Sequence, residues 1–386
     1  MSRAHVAIVG GGIGGLTAAL ALRRAGIDAT VHERAADLRS AQAGHGLILW
    51  HNAVLVLREL GVDVSAIGHR IDEYQFRTTS GSLLARWHLR ADEWDAPVYS
   101  VSRPALHRLL ADEDLVLGAP CVGFDDDGDG VTVRFADGRS TRADALVGAD
   151  GLRSVVRRGL MGFEPPPRYA GYTAWQGVIR APGLVEPGRF VNAFGRGRWF
   201  VHYGLPDGFT YWDAVLDARA GAGRFGAPAR ENLLAAFAGA ATPIRDLIEA
   251  TPEDDLAPVD IYDRDPVTRW SKGRVTLLGD AAHPMTFNLG QGAGQAIEDA
   301  LVLARCLADA GPEEAFARYE RERVGRTSRM VRRSRANGDF IRRRNPVMCL
   351  LRDTFVRVAF ESLILRKTYQ LTMDLPWSTD KTEVPR

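Results

Sequence analysis

The chain has 386 residues, 46% hydrophobic and 25% charged, with a formal net charge of +1. That length exceeds one hydrophobic core and implies two domains, while near-neutral charge argues against a nucleic-acid binder or a protein drawn to acidic membranes. No run reaches the roughly 18 uninterrupted apolar residues of a membrane span. Glycines 10 to 12 break the apolar run that a secretory leader would need. Cys121, Cys306 and Cys349 are odd in number and widely spaced, the usage expected of reduced thiols in a cytoplasmic protein.

The first element is a buried-type strand at Val6, Ile8 and Val9 that runs into glycines 10, 12 and 15, then into a helical pattern over 16–25. Gly10 permits a tight turn, Gly12 lets a pyrophosphate approach the backbone, and Gly15 lets helix and strand pack closely. The helix start offers free N–H groups and the positive end of its dipole. A second strand over 29–33 ends on Glu33, 18 residues after Gly15, where a ribose-binding carboxylate is expected. Strand, glycines, helix and acid together predict a dinucleotide site.

A helix over 53–60 is stopped by Gly61, and alternation over 72–90 around Ser80-Gly81 predicts a hairpin belonging elsewhere in space. Pro104 opens a helix over 104–112. The strand 131–135, the Asp137-Gly138 turn and a strand over 143–149 read as a hairpin returning to the first sheet. Runs rich in Tyr, Trp, Phe and Val over 172–217 predict a second, largely antiparallel sheet. Gly221 to Gly226 repeats the G-x-G-x-x-G spacing without a buried strand before it, and Pro228 follows closely, so it reads as a loop. A short buried strand at 275–278 returns to the first domain, and helical patterns dominate from Ala293.

Between them, residues 279–299 form the second strong signal. A strand ends at Gly279-Asp280, and glycines 290, 292 and 294 lead into a helix. A carboxylate at a strand end can hold a ribose or ribitol hydroxyl. A glycine-rich helix start can press its N–H groups against a flat ring and stabilise negative charge there. A capping loop that touches nothing is the plainer alternative.

Three separated motifs carry a family resemblance: Gly10 to Gly15 with Glu33-Arg34, Gly148 to Arg157, and Gly279 to Pro284. In order and separation they resemble the single-component FAD-dependent aromatic hydroxylases, the p-hydroxybenzoate and salicylate hydroxylase family of flavoprotein monooxygenases. The resemblance spans about residues 6–300. It implies an α/β fold: a Rossmann-like FAD-binding domain from 1–71, 97–168 and 262–320, an antiparallel-sheet substrate domain from 72–96 and 169–261, and a C-terminal helical section over 321–386. It also implies FAD as cofactor, with NAD(P)H and O2 as co-substrates. The reaction implied is hydroxylation or epoxidation of an aromatic or polycyclic small molecule through a flavin C4a-hydroperoxide, in a site that excludes water. With one fingerprint only, NAD(P)H would dock transiently.

By the same resemblance, Gly10, Gly12, Ile13, Gly14, Gly15 and Arg34 belong to the dinucleotide motif, with Glu33 on the adenosine ribose. Asp280 takes the ribitol, Pro284 belongs to the same motif, and Gly290, Gly292 and Ala293 line the isoalloxazine. Asp150 and Gly151 serve FAD binding and the passage of NAD(P)H. Arg103 contacts the FAD phosphate region, Val122 covers the adenine, and Gly46, within Gly44-His45-Gly46-Leu47, passes the ring. Three positions depart from the family: Phe287 replaces a usual proline, Gly294 stands where asparagine is common, and His45 replaces a small residue.

Pocket candidates are Tyr172, Trp175, Tyr203, Trp212 and Phe287, each weighed against ordinary core packing. His45 and His51 are candidate bases for a phenol, because an unperturbed imidazole titrates near pH 6.5; a structural hydrogen bond is the alternative for His51. His283 reads as loop geometry. No metal cluster is expected. A flavin oxidase or dehydrogenase without oxygen insertion, or a non-catalytic FAD-binding protein, is the alternative function; a halogenase is disfavoured by the lack of a Trp-x-Trp-x-Ile-Pro segment.

Residues 319–345 hold ten arginines, at 321, 323, 326, 329, 332, 333, 335, 342, 343 and 344. With acidic neighbours and a near-zero net charge on the chain, they read as a solvated helical face rather than a nucleic-acid helix. The apolar stretch 347–365 reads as packing on the protein's own core, with peripheral membrane contact as the alternative. Oligomeric state is not written in these patterns.

Overall fold

A computed structural model describes residues 4–37, 45–89, 96–111, 114–222 and 228–359. Gly44, most of the second G-x-G-x-x-G and the end of the 347–365 stretch lie outside the described residues.

The strand His5–Val9 runs parallel to Asp28–His32 on one side and Ala145–Gly148 on the other. They form a five-stranded sheet in the order Val275–Leu277, Ala145–Gly148, His5–Val9, Asp28–His32, Leu115–Val116. Parallel strands covered on both faces show continuous apolar runs rather than alternation. Val6, Ala7, Ile8, Val9, Leu146 and Val147 are accordingly all buried. The helix Ile13–Arg24 packs against the helix Gly292–Asp309, so the first and last glycine motifs meet in space.

The expected 131–149 hairpin divides at Asp144. Val131–Phe135 pairs with Ser140–Ala143 in an outer three-stranded sheet, completed by Cys121–Asp126. Ala145–Gly148 then enters the parallel sheet. Asp144 makes the switch: its carboxylate accepts the His5 N–H at 2.7 Å, and its own N–H donates to the His5 carbonyl at 2.8 Å.

The aromatic section forms a seven-stranded sheet, in the order Ala257–Asp263, Arg168–Arg180, Phe209–Asp217, Arg198–Gly204, Arg189–Phe194, Glu73–Thr78, Leu83–His88. All its pairings are antiparallel except that of Arg189–Phe194 with Glu73–Thr78, which attaches the early hairpin. Trp175, Phe200, Trp212, Leu233, Phe237, Leu247 and Ile248 share one core, formed by one sheet face and the helices Ala229–Ala236 and Ile244–Ala250. The other face looks toward Phe287, the long helix Pro312–Ile341 and the final helix Pro346–Ala359. Among the described residues, no helix is long and apolar enough to cross a membrane.

Candidate active site

A cavity of about 810 Å³ opens between the two main sheets, and one end is made of bare backbone. Gly10 has φ +111°, and a Cβ there would stand 2.3 Å from the Ala149 oxygen; a Cβ on Gly15 would stand 2.0 Å from the Gly10 oxygen. Those two glycines are required by the strand–turn–helix itself. Gly12 differs, since a Cβ there meets nothing within 4 Å, and one on Gly292 meets only Asp280 Oδ1 at 4.0 Å; Gly151 is equally open, although its φ of +78° by itself favours glycine. All three line the cavity. Side chains are therefore missing where the cavity needs open backbone, beyond where the chain needs room.

Gly12 caps the helix Ile13–Arg24 and Gln291 caps Gly292–Asp309, neither with a side-chain hydrogen bond. The first N–H groups of both helices are thus open to an acceptor in the cavity, backed by two positive dipole ends. Arg103 and Asp280 also line it. Enclosure raises the Asp280 pKa, partly offset by the charges of His283 and Arg103. Two helix N-termini, an arginine and a carboxylate around an open cradle suit a dinucleotide that carries a pyrophosphate, sugar hydroxyls and a flat ring.

Ile13, Gly14, His45, Gly46, Phe287, Gly290, Ala293 and Tyr203 also line this cavity. Other expected contacts do not. Glu33 turns its carboxylate onto the glycine turn, accepting the Gly11 N–H at 2.7 Å and the Ala35 N–H at 2.8 Å. Asp150 caps the helix Val155–Met161, accepting from the Ser154 hydroxyl, from the Val155 N–H at 2.6 Å and from the Val156 N–H at 3.3 Å. Pro284 is buried, with its carbonyl accepting from the Arg264 N–H. Arg34 is exposed, and Val122 is 57% exposed on the outer three-stranded sheet.

His51 is corrected by its surroundings. It is fully buried in the first turn of His51–Glu59, its Nδ1 meets the Ala96 carbonyl, and burial lowers its pKa to about 4. It lies outside the cavity lining and is not placed to take a substrate proton. His45 lines the cavity, where burial lowers its pKa, with Asp255 opposing. His283 has the loop role: Nε2 lies 2.5 Å from Asp299 Oδ2, which also accepts the Gly279 N–H at 3.0 Å.

Strand alternation decides the substrate end. Cross-strand pairing places Val178, Tyr211, Tyr203, Phe190, Tyr74 and Trp87 in one row across the sheet. Tyr211 and Tyr203 stack at 4.8 Å, Tyr203 and Phe190 stack at 5.4 Å, and Phe190 meets Tyr74 edge-on at 4.5 Å. The adjacent row on that face holds Gln176, Asp213, Val201, Asn192 and Phe76. Trp199 lies on the same face and stacks on Phe287 at 6.3 Å.

Trp175 and Trp212 therefore point the other way, a correction to the expected pocket. Trp212 packs on Phe200 and donates its indole N–H to Thr251 Oγ1 at 3.0 Å, in the core beneath the outer helices. Tyr172 shares the cavity face but sits behind the lining, accepting from Asn288 Nδ2 at 2.7 Å and meeting Phe287 edge-on at 6.3 Å.

Asp213, Gln176, Asn192, Trp199 and Tyr211 went unrecognised in the sequence. The signal was the period-2 phase of 198–204 and 209–217, which puts Trp199 with Tyr203 and Tyr211 with Asp213. Gln176 Nε2 donates to Tyr211 Oη at 2.8 Å and to Asp213 Oδ1 at 2.9 Å. Burial raises the Asp213 pKa to about 6 against the hydrogen bonds of Tyr211 and Gln176. Burial, then the Asp213 charge, holds the Tyr203 and Tyr211 phenols well above 10.

A buried polar lattice fixes the cradle from behind. Asn52 Nδ2 donates to Gln291 Oε1 at 3.1 Å and to Glu298 Oε1 at 2.6 Å. Arg326 Nε donates to Glu298 Oε2 at 2.7 Å, and Arg323 Nε to Asp299 Oδ1 at 2.6 Å, with Arg323 also on Glu298. Burial opposes ionisation of Asp299, yet His283 and Arg323 beside it hold its pKa at about 2.

Comparison with known proteins agrees with this geometry. The model of a family described as "FAD binding domain" matches residues 3–179 and 254–334. Aurachin C monooxygenase/isomerase of Stigmatella aurantiaca is 43% identical over 362 residues, covering 92% of this chain and 94% of that protein. A 3-amino-4-hydroxybenzoate 2-monooxygenase of Streptomyces platensis is 39% identical over 357 residues, covering 87% and 88%. The crystal structure of Klebsiella pneumoniae HpxO complexed with FAD and uric acid superposes with a TM-score of 0.87 at 28% identity, covering 96% of each chain. A matching family model over most of the chain, and monooxygenase relatives along nearly its full length, place this protein among the FAD-dependent aromatic hydroxylases and monooxygenases.

Proposed function

We propose that the protein inserts one oxygen atom of O2 into an aromatic or polycyclic small molecule held against the ring ladder of the seven-stranded sheet. The observation that carries this reading is that the glycine cradle and the aromatic rows open into one cavity. Relatives named for aurachin C and for 3-amino-4-hydroxybenzoate, and a structural neighbour complexed with uric acid, support a ring substrate.

In this reading the N–H groups after Gly12 and Gln291, with Arg103, hold the FAD phosphates and ring, and Asp280 takes a ribitol hydroxyl. Gly46, Gly151, Gly290 and Ala293 give the cofactor close backbone approach. Glu33 reaches the ribose through carboxylate lone pairs left after its two backbone bonds, while Asp150 and Pro284 act by shaping their loops. Val122 covers the adenine from the outer sheet. Bound there, FAD supplies hydride acceptance from NAD(P)H and activation of O2.

The chain's own residues do the rest. Tyr74, Phe190, Trp199, Tyr203 and Phe287 sandwich a flat ring and exclude water. Asp213, ionised above about pH 6, accepts a hydrogen bond from a substrate O–H or N–H, with Gln176 fixing its carboxylate. His45, kept neutral by burial, can take a phenolic proton. Tyr172 positions Phe287 through Asn288. The FAD-binding part then comprises 1–71, 97–168 and 262–320, and the substrate part 72–96 and 169–261. A cytoplasmic location without nucleic-acid partners fits the free thiols and near-zero charge.

The test uses purified full-length protein, which should be yellow with stoichiometric FAD. A true aromatic substrate should accelerate NAD(P)H oxidation, and label from isotopic dioxygen should enter the product. Label arriving only from water would replace this reading with an oxidase or dehydrogenase.

A further inference from the structure

The arginine-rich stretch sorts itself by partner. Arg323 and Arg326 are buried on Glu298 and Asp299, Arg335 bridges Asp263 and Asp265, and Arg342 and Arg344 meet Asp217. Arg321, Arg329, Arg332 and Arg343 are exposed to solvent, and Arg333 fits neither group. It lines the cavity, yet its Nη1 is buried with no hydrogen-bond partner, and no carboxylate among the described residues lies within ion-pair distance of it. Arg329, one turn earlier, presses on it with like charge. Burial first, then Arg329, lowers the Arg333 pKa. One turn later Asn337 also lines the cavity, with its amide tied to the Asn288 carbonyl at 2.9 Å.

A guanidinium remains charged at any physiological pH. Arg333 as a whole is half-buried, but its Nη1 is withdrawn from water without an acceptor, and leaving that donor unpaired costs stability, so its retention at a cavity wall indicates a group that arrives from outside. The planar fork suits two oxygens on one centre.

We propose that Arg333 is the receptor for an anionic oxygen group, a carboxylate or a phosphate, on a ligand entering the cavity along the Pro312–Ile341 helix. Arg329 adds long-range attraction at the approach. Two ligands of the reaction carry such groups: an aromatic acid substrate, and the nicotinamide nucleotide, for which the described residues form no second dinucleotide fold. The inference rests on the cavity being the substrate chamber, as proposed above.

The experiment uses FAD-loaded full-length protein and the variants Arg333→Gln and Arg333→Lys. Dissociation constants are read from flavin absorbance changes for salicylate and 3-amino-4-hydroxybenzoate against their decarboxylated counterparts, phenol and 2-aminophenol. Calorimetry gives those for NADP+ and NAD+. Arg333→Gln should weaken one anionic class at least tenfold, with Arg333→Lys recovering part of the loss. A shift confined to the aromatic acids assigns the site to substrate, and one confined to the nucleotides assigns it to the reductant. Unchanged affinity in both arms overturns the proposal. FAD content, measured alongside, separates that failure from failure of the functional reading. Stability is an independent readout: Arg333→Gln should leave the Tm equal or higher, whereas Arg335→Gln, which abandons two carboxylates, should lower it. A Tm drop for Arg333→Gln as large as that for Arg335→Gln also overturns the proposal.

Discussion

Gln176 and Asp213 stand directly opposite each other on neighbouring strands, and the Gln176 amide donates to Asp213 Oδ1 at 2.9 Å on the cavity face. A carboxyl in the centre of an aromatic-rich sheet is unusual, because burial without an ion pair disfavours its charge. The sheet accepts it by supplying a hydrogen-bonding pair rather than a cation.

This pair has a pH signature. The folded pKa of Asp213 is raised to about 6 from 3.8, so the native state keeps a proton that the unfolded chain has released. The group costs nothing below the unfolded value, and stability falls as pH rises toward 6, then levels. Two pKa units correspond to about 3 kcal/mol. Asp213→Asn should raise the Tm at pH 8 relative to the wild type, with the gap closing below pH 4. A gap that does not depend on pH would contradict the raised pKa.

The two faces of the sheet should separate in mutagenesis. Trp212→Phe loses the bond to Thr251 Oγ1 and some buried volume, at a cost of about 1–3 kcal/mol, and should leave substrate KM unchanged. Trp199→Ala, on the cavity side, should raise substrate KM severalfold. Steady-state kinetics beside urea melts would check both.

The glycines of the first turn should differ in kind. Gly15→Ala would drive a Cβ to 2.0 Å from the Gly10 oxygen and should prevent the turn from forming, yielding little soluble protein. Gly12→Ala meets no protein atom within 4 Å and should fold, yet lose bound FAD because the methyl occupies the cradle. Flavin content per chain and circular dichroism distinguish the two outcomes.

Arg323→Met should be among the most damaging surface-remote changes. It leaves Asp299 and Glu298 buried with too little positive charge, at a cost of about 3–5 kcal/mol. The folded pKa of Asp299 lies at about 2, below 3.8, so the wild type draws stability from this group above about pH 4 and loses it as pH falls through 2. The variant should lack that share of acid dependence, measurable as a flatter Tm profile below pH 4.

What was legible beforehand follows from locality. The glycine turns, the Glu33 strand and the Gly279–Asp280 loop are contiguous motifs whose neighbours in sequence are their neighbours in space, and the expected strands and helices lie there. The pocket was less legible. Choosing Trp175 and Trp212 over Gln176 and Asp213 is an error of one residue in phase, and one residue on a strand exchanges core for cavity. Bulk alone does not reveal which face is which, because both faces of this sheet are apolar. His51 looked available for chemistry, but the Ala96 carbonyl that claims it lies 45 residues away. The split at Asp144 escaped notice for a similar reason: its partner is His5, at the start of the chain.

The order of strands in the two sheets bears on how the chain acquires its shape during synthesis. The parallel sheet closes only when Val275–Leu277 docks beside Ala145–Gly148, and the hairpin at 73–88 waits for Arg189–Phe194 before it has a neighbour. Neither layer can mature while the ribosome is still in the first half of the message. The hairpin's unsatisfied edge and its Tyr74 and Phe76 rings are exposed until then. Truncation before Ala257–Asp263 would leave both layers short of a strand, and truncation between that strand and Val275–Leu277 would still deprive the parallel sheet of its edge, so the chain does not divide into an early half and a late half that each complete one layer.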